Sequence, residues 1–251
     1  MKQIIVITDG CSNVGVSPVI AAAHAKAEGI TVNVIGVIDR GELGVLGTEE
    51  IREIAEAGGG MSRIVQPAQL AQTVQMMTRK TVAHTIQQAV NKELQQILGE
   101  GGELGMLPPD KRAQVVHVID ELSETSELDI ALLVDASASM KPKLNAVREA
   151  IRDLMLSLKS RTGESRVAVF HFPGTASGSE IEMDTGWTTN LAQIAKMFYK
   201  INMRGTTPTG PAMQHVIGYM TGQVQQAGYE SEQGGLHAIA AKDGYLSDYV
   251  V

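Results

Sequence analysis

The chain has 251 residues, 43% of them hydrophobic and 20% charged, a balance that excludes a disordered chain and suits one large domain or two small ones. Its 21 Lys and Arg residues are outnumbered by 28 Asp and Glu, so the net charge of −7 disfavours binding of nucleic acid through a basic face. No segment approaches the roughly 18 apolar residues of a membrane-spanning helix, and the single cysteine excludes an intrachain disulfide. We therefore expect a cytoplasmic protein that binds neither nucleic acid nor a membrane.

The first 66 residues alternate strand and helix signals. Apolar, β-branched runs predict buried strands at Gln3–Thr8, Ile30–Ile38 and Met61–Val65. Between them, Val16–Gly29 and Thr48–Ala57 predict helices, the second capped by Thr48. The order β-α-β-α-β is typical of a parallel sheet with crossover helices.

A helical connector is predicted in the middle of the chain. Pro67–Leu98 reads as one long helix or as two with a break, and Asp110–Leu122 reads as a further amphipathic helix. We divide the chain into an α/β segment over residues 1–75, the connector over 76–127, a second α/β segment over 128–222, and a polar, glycine-containing tail over 223–251 that we expect to be a loop or a mobile segment.

The α/β pattern resumes after the connector. Strands are predicted at Leu128–Val134 and Arg166–Phe172, and an edge strand is predicted at Glu180–Trp187. The predicted helices are Lys143–Ser160, Leu191–Ile201 and Thr209–Met220, the last opened by Pro208 in its first turn.

Two aspartates occupy equivalent positions in the two α/β segments. Asp9 follows the strand Gln3–Thr8, and Asp135 follows the strand Leu128–Val134. In open α/β sheets, ligands bind at the carboxyl ends of strands near a topological switch point. Both side chains are therefore candidates for a binding site.

The motif Asp135-Ala136-Ser137-Ala138-Ser139 places one carboxylate and two hydroxyls on a single tight loop. These hard oxygen donors suit Mg²⁺, Mn²⁺ or Ca²⁺ rather than zinc. On this motif alone, a turn followed by helix capping by Ser139 is the favoured interpretation. Thr207, in a glycine- and threonine-rich loop, is likewise explained more simply as the N-cap of the following helix.

Taken together, the three segments resemble the von Willebrand factor A (vWA) domain and its metal-ion-dependent adhesion site. The family pattern is D-x-S-x-S after the first strand, a threonine in a glycine-rich loop, and a strand that ends in T-D-G. In this chain the matching residues are Asp135, Ser137 and Ser139, then Thr207, then Thr8-Asp9-Gly10. The T-D-G strand normally follows the threonine loop, whereas here it comes first. Ala138 stands where many family members have glycine.

The resemblance implies a doubly wound, mostly parallel sheet with helices on both faces, in circularly permuted order. Residues 128–222 would be the first half of the vWA domain and residues 1–75 the second half. The connector 76–127 would join the usual C-terminus of the family back to its first strand. Such a permutation is physically reasonable because the termini of a domain often lie close together.

The resemblance also implies a function. Ser137 and Ser139 would bind a metal ion directly, Thr207 directly or through water, and Asp135 and Asp9 directly or through waters. The ion would be Mg²⁺ or Mn²⁺, with Ca²⁺ less favoured, and one coordination position would remain for an Asp or Glu of a partner protein. The protein would then be an adaptor without catalysis of its own, in some relatives beside ATPase-type machines.

Three alternatives stay open. The chain could be a Mg²⁺-dependent hydrolase or phosphotransferase that uses Asp9 and Asp135, although no positioned base or phosphate-loop lysine is evident. It could instead be a structural module whose metal only stabilises the fold. We expect a monomer, and the alternative is an interlocked dimer in which half-domains complete each other between chains.

Overall fold

The computed structural model describes residues 1–10, 12–38, 45–98, 104–175, 179–190, 192 and 206–222. The six strands within these residues form one sheet in the order β3-β2-β1-β4-β5-β6. The strands are β1 (Lys2–Thr8), β2 (Ile30–Val37), β3 (Gly59–Val65), β4 (Leu128–Asp135), β5 (Ser165–Phe172) and β6 (Glu182–Thr188). The first five are parallel to one another, and β6 runs antiparallel to β5 at the edge.

Helices cover both faces of this sheet. They are α1 (Pro18–Ala27), α2 (Val45–Ala57), α3 (Leu70–Leu98), α4 (Pro109–Thr125), α5 (Leu144–Leu158) and α6 (Thr209–Thr221). Because successive strand side chains point to opposite faces, Ile4 and Val6 of β1 pack with α1, α2 and α6, whereas Ile5 and Ile7 pack with α3, α4 and α5. The predicted doubly wound, mostly parallel α/β fold is confirmed.

The connection pattern places a topological switch point between β1 and β4. These two strands are neighbours at the centre of the sheet. The chain continues from β1 to β2 on one side, and from β4 to β5 on the other. The loops after β1 and β4 therefore diverge at the carboxyl edge and leave a crevice between them.

Helix α3 is one continuous helix of 29 residues, and it packs against both α4 and α5. Its Thr81 accepts a hydrogen bond from Asn33 Nδ2 of β2 at 3.0 Å. At the far end of the connector, Arg161 donates to the carbonyl oxygens of Ser123 at 2.6 Å and Ser126 at 3.0 Å. The connector is thus tied to the body of the domain at both ends.

Several predicted boundaries differ from the structure. Helix α2 begins at Val45, so Thr48 lies inside it and is not its N-cap. The predicted helix Leu191–Ile201 lies outside the described residues except for Ala192, and so does the tail 223–251. Among the helices that the structure describes, none is both long and apolar enough to cross a membrane.

Candidate functional site

A buried carboxylate lies at the switch point. Asp135 ends β4 and is fully buried, and its Oδ2 accepts a hydrogen bond of 2.7 Å from the hydroxyl of Thr8, the last residue of β1. The backbone N–H of Ser137 donates to Oδ1 of the same carboxylate at 2.8 Å. These two donors allow an acidic side chain to be placed in the centre of the sheet edge.

Burial nevertheless disfavours the charged form of Asp135. Loss of solvent raises the pKa of this carboxyl above its ordinary range, and the negative charge of Asp9 adds to the rise. The hydrogen bonds from Thr8 and Ser137 lower the pKa in part. A nearby cation would stabilise the ionised form, because an opposite charge at close range favours it.

A row of hydrogen bonds joins Asp135 to Asp9. The backbone N–H of Ser137 donates to Asp135, and the hydroxyl oxygen of Ser137 lies 3.1 Å from that of Ser139. Ser139 Oγ then donates to Asp9 Oδ1 at 2.9 Å. The structure therefore brings Asp135, Ser137, Ser139 and Asp9 into one connected cluster, and their roles as metal ligands stay predictions.

The helix-capping roles predicted for Ser139 and Thr207 are wrong, whereas the predicted turn after Asp135 is present as a 3-10 helix. Ser139 lies within a 3-10 helix over residues 138–143, and Ser137 at its N-cap makes no side-chain capping hydrogen bond. The N-cap of α6 is Pro208 rather than Thr207, and again no side chain caps the helix. The hydroxyl groups of Ser139 and Thr207 therefore do not cap the N-terminus of a helix.

Thr207 is fixed to the segment that follows Asp9. Its backbone N–H donates to Asn13 Oδ1 at 2.8 Å, and its carbonyl accepts from Asn13 N at 3.2 Å and Ser12 Oγ at 3.1 Å. A Cβ on Gly210 would lie 1.9 Å from the carbonyl oxygen of Val16, so the start of α6 packs closely on the same segment. The buried Thr207 is held beside the loop after β1 mainly through its backbone.

Sequence reasoning missed two charged residues at this edge. Lys143 ends the 3-10 helix, and its ammonium group donates to Asp9 Oδ2. Glu50 of α2 accepts a hydrogen bond from the backbone N–H of Ser12 at 2.8 Å, and burial raises the pKa of Glu50. Lys143 was predicted only as the first residue of a helix, and nothing local in the sequence points to its contact with Asp9.

The donor set fits a small divalent cation. Two neighbouring ligands of an octahedral ion at about 2.1 Å lie about 3 Å apart. The hydroxyl oxygens of Ser137 and Ser139 already have this spacing. In the part of the chain that the structure describes, no group of three His, Cys, Asp or Glu side chains is placed to hold a metal ion, so an ion here would depend on hydroxyl ligands.

Comparisons with known proteins agree with this fold. The von Willebrand factor type A domain matches residues 129–233. The uncharacterized protein YabS of Bacillus subtilis (strain 168) is 47% identical over 214 residues, which are 85% of this chain and 86% of YabS. A crystal structure of an uncharacterized protein from Alicyclobacillus acidocaldarius subsp. acidocaldarius DSM 446 matches with a TM-score of 0.81 and 43% identity, covering 90% of this chain and 96% of that one.

A more distant match is proximal thread matrix protein 1 from the mussel byssus, whose structure has a zinc-occupied MIDAS motif. It is 17% identical with a TM-score of 0.26, over 82% of this chain and 43% of that one. The similarity to YabS, by contrast, extends over most of both chains. The chain therefore belongs to the same family as YabS, and its residues 129–233 match the von Willebrand factor type A domain.

Proposed function

We propose that this protein is a metal-dependent adaptor that binds an Asp or Glu of a partner protein through Mg²⁺ or Mn²⁺. The observation that carries the proposal is the hydrogen-bonded row from Asp135 through Ser137 and Ser139 to Asp9 at the switch point. Ser137 and Ser139 would hold the ion directly, Thr207 directly or through water, and Asp135 and Asp9 directly or through waters. Bound there, the ion would supply an electrophilic position for a carboxylate from outside.

The balance of charge in the cluster supports this choice. Hydroxyl ligands are neutral, and both carboxylates already accept hydrogen bonds from protein groups. A divalent ion held in this way keeps much of its positive charge, so it favours an additional anionic ligand. On the surface of a partner protein, the anionic ligands are the carboxylates of Asp and Glu side chains.

We also infer that the vWA domain is circularly permuted. The family match begins at Asp129 in β4, whereas the strand that ends in Thr8-Asp9-Gly10 comes earlier in the chain and pairs with β4 at the centre of the sheet. Helices α3 and α4 then form the connection from β3 back to β4. We expect a cytoplasmic monomer, with an interlocked dimer as the alternative.

The hydrolase or phosphotransferase alternative has less support. Each oxygen of Asp9 and Asp135 accepts a hydrogen bond from an identified donor. These donors are hydroxyl, backbone N–H and ammonium groups, so the contacts of the two carboxylates include no histidine or further carboxylate that could act as a partner base.

The test of the adaptor proposal is capture of a partner under matched metal conditions. Tagged wild-type protein is incubated with lysate of its own host in Mg²⁺ or in EDTA, beside the double variant S137A/S139A and the control S160A, whose serine is exposed in the turn after α5. We expect one partner to be retained by wild type and S160A in Mg²⁺ only. Replacing the responsible Asp or Glu of that partner by Asn or Gln should then abolish retention.

Two results would contradict the proposal. One is a partner that binds S137A/S139A as well as wild type, or binds equally in EDTA. The other is Mg²⁺-dependent hydrolysis of p-nitrophenyl phosphate that D9N abolishes, since this would support the enzyme alternative.

A further inference from the structure

A buried lysine contacts the predicted metal site. Lys143 is the last residue of the 3-10 helix that starts directly after Ser137, and this tight turn carries its side chain back toward the serine loop. The ammonium group donates to Asp9 Oδ2 while Ser139 donates to Oδ1 of the same carboxylate. The side chains of Lys143 and Asp9 are only 10% and 3% exposed.

The contact is strong because both charges are shielded from solvent. A buried ion pair is screened much less than a surface pair, and each partner would be costly to leave alone. Lys143 thus neutralises one of the two carboxylates in the cluster. The second, Asp135, is held only by hydrogen bonds from Thr8 and Ser137.

We propose that Lys143 is the internal counter-ion of the metal-free site and competes with the divalent cation for Asp9. This inference rests on the proposed function, because it assumes that an ion binds at these residues. The ammonium group keeps Asp9 in place when no metal is bound. It also weakens metal binding, since a divalent ion that takes Asp9 as a ligand must first displace the ammonium group from it.

The same lysine bears on the choice of partner. With Lys143 and a divalent ion both present, the two carboxylates leave one net positive charge at the site. An incoming carboxylate would bring that charge to zero. Lys143 therefore lowers the affinity for the ion alone and favours occupation of the site by ion and anionic partner together.

The experiment measures Mn²⁺ affinity by electron paramagnetic resonance of the free ion, on metal-stripped wild type, K143M, K143R and K141M. Lys141 lies in the same 3-10 helix but is exposed, so K141M controls for loss of a positive charge nearby. We expect K143M to bind Mn²⁺ about tenfold more tightly or better, because a like charge at close range is removed. K143R should stay near wild type, and K141M should change affinity less than about twofold because solvent and salt screen an exposed charge.

Two outcomes separate this inference from the proposed function. If wild type binds Mn²⁺ and K143M binds it equally or more weakly, competition by Lys143 is refuted and the adaptor proposal stands. If neither wild type nor any variant binds Mn²⁺ at millimolar concentration, both fail.

A second measurement needs no variant and covers the case in which K143M does not fold. Wild-type protein is acetylated with an N-hydroxysuccinimide ester with and without Mn²⁺, and mass spectrometry quantifies the modified lysines. We expect acetylation of Lys143 to rise several-fold with Mn²⁺ while that of Lys141 stays constant. Unchanged protection of Lys143 in protein that has bound Mn²⁺ would refute the displacement.

Discussion

Ser139 donates a hydrogen bond of 2.9 Å to Asp9, although the two residues are 130 positions apart in the chain. The contact exists because β1 and β4 are central neighbours, so the loops that follow them meet at one edge of the sheet. A hydroxyl from one α/β segment and a carboxylate from the other thus form a single cluster. The site is assembled by the fold, and neither segment alone contains it.

Close packing between the start of α6 and the loop after β1 should be required for this assembly. In G210A, the new Cβ would meet the carbonyl oxygen of Val16, so the loop must move away from Thr207. We expect a loss of about 1–3 kcal/mol in the free energy of unfolding, as for other overpacked sites. The affinity for Mn²⁺ should also fall. Urea denaturation would measure the loss of stability, and Mn²⁺ titration would measure the loss of affinity.

The matched control for that substitution is G105A. A Cβ on Gly105 has nothing within 4 Å, so this variant should keep both the stability and the Mn²⁺ affinity of wild type. Equal behaviour of G210A and G105A would show that the contact with Val16 does not hold the Thr207 loop in place.

The buried carboxyl of Asp135 should make the metal-free protein lose stability as pH rises. Its pKa in the folded chain is raised above the ordinary value of 3.8, chiefly by burial, so the folded state holds this proton more tightly than the unfolded state does. The contribution is fully present below pH 3.8 and is lost as pH rises through the raised value. D135N has no such proton. Its side-chain amide can donate a hydrogen bond to Thr8 Oγ1, and the Thr8 hydroxyl can then donate to the carbonyl oxygen of Gly10, which lies 3.2 Å away.

The measurement is urea unfolding in EDTA at several pH values from 4 to 8. As pH rises, the free energy of unfolding of D135N should increase relative to that of wild type, because only wild type must ionise a buried acid. A difference between the two proteins that is constant with pH would contradict the prediction.

Arg161 should stabilise the connector without affecting the site. Its guanidinium donates to the carbonyl oxygens of Ser123 and Ser126 and to Ser165 Oγ, and burial lowers its pKa. In R161M these carbonyls lose a charged donor, which should cost about 1–3 kcal/mol in the free energy of unfolding. Mn²⁺ affinity should not change, because Ser165 begins β5 and lies at the sheet edge opposite the site.

The control for R161M is R152M, which removes an exposed arginine of α5 with surface partners only. Its stability should stay within about 0.5 kcal/mol of wild type. Comparable destabilisation by both variants would mean that the bonds of Arg161 are not what holds the end of α4.

The sheet and the placement of Asp9 and Asp135 could be predicted because they follow from short-range patterns. Apolar β-branched runs identify the strands, and the switch-point rule places side chains at the ends of β1 and β4 near one another. The helix start at Thr48 was wrong because a capping preference of about 1 kcal/mol does not prevent a threonine from lying inside a helix.

Contacts that join distant parts of the chain could not be predicted in the same way. The ion pair of Lys143 with Asp9 depends on a 3-10 turn where the sequence pattern indicates only the beginning of a helix. The bond from Ser12 to Glu50, and the backbone pairing of Thr207 with Asn13, depend on how loops pack at the sheet edge. No local periodicity encodes that packing.

The most direct test of the proposed metal site is Mn²⁺ binding to metal-stripped protein, measured by electron paramagnetic resonance of the free ion. Wild type would be titrated beside D135A, D9A and the control D129A, which removes an aspartate near the opposite end of β4 that pairs with Arg166. We expect wild type and D129A to bind one Mn²⁺ per chain, and both D135A and D9A to lose that same site. Absence of binding by wild type at millimolar Mn²⁺, or binding by D9A equal to wild type, would contradict a single ion shared by the loops after β1 and β4.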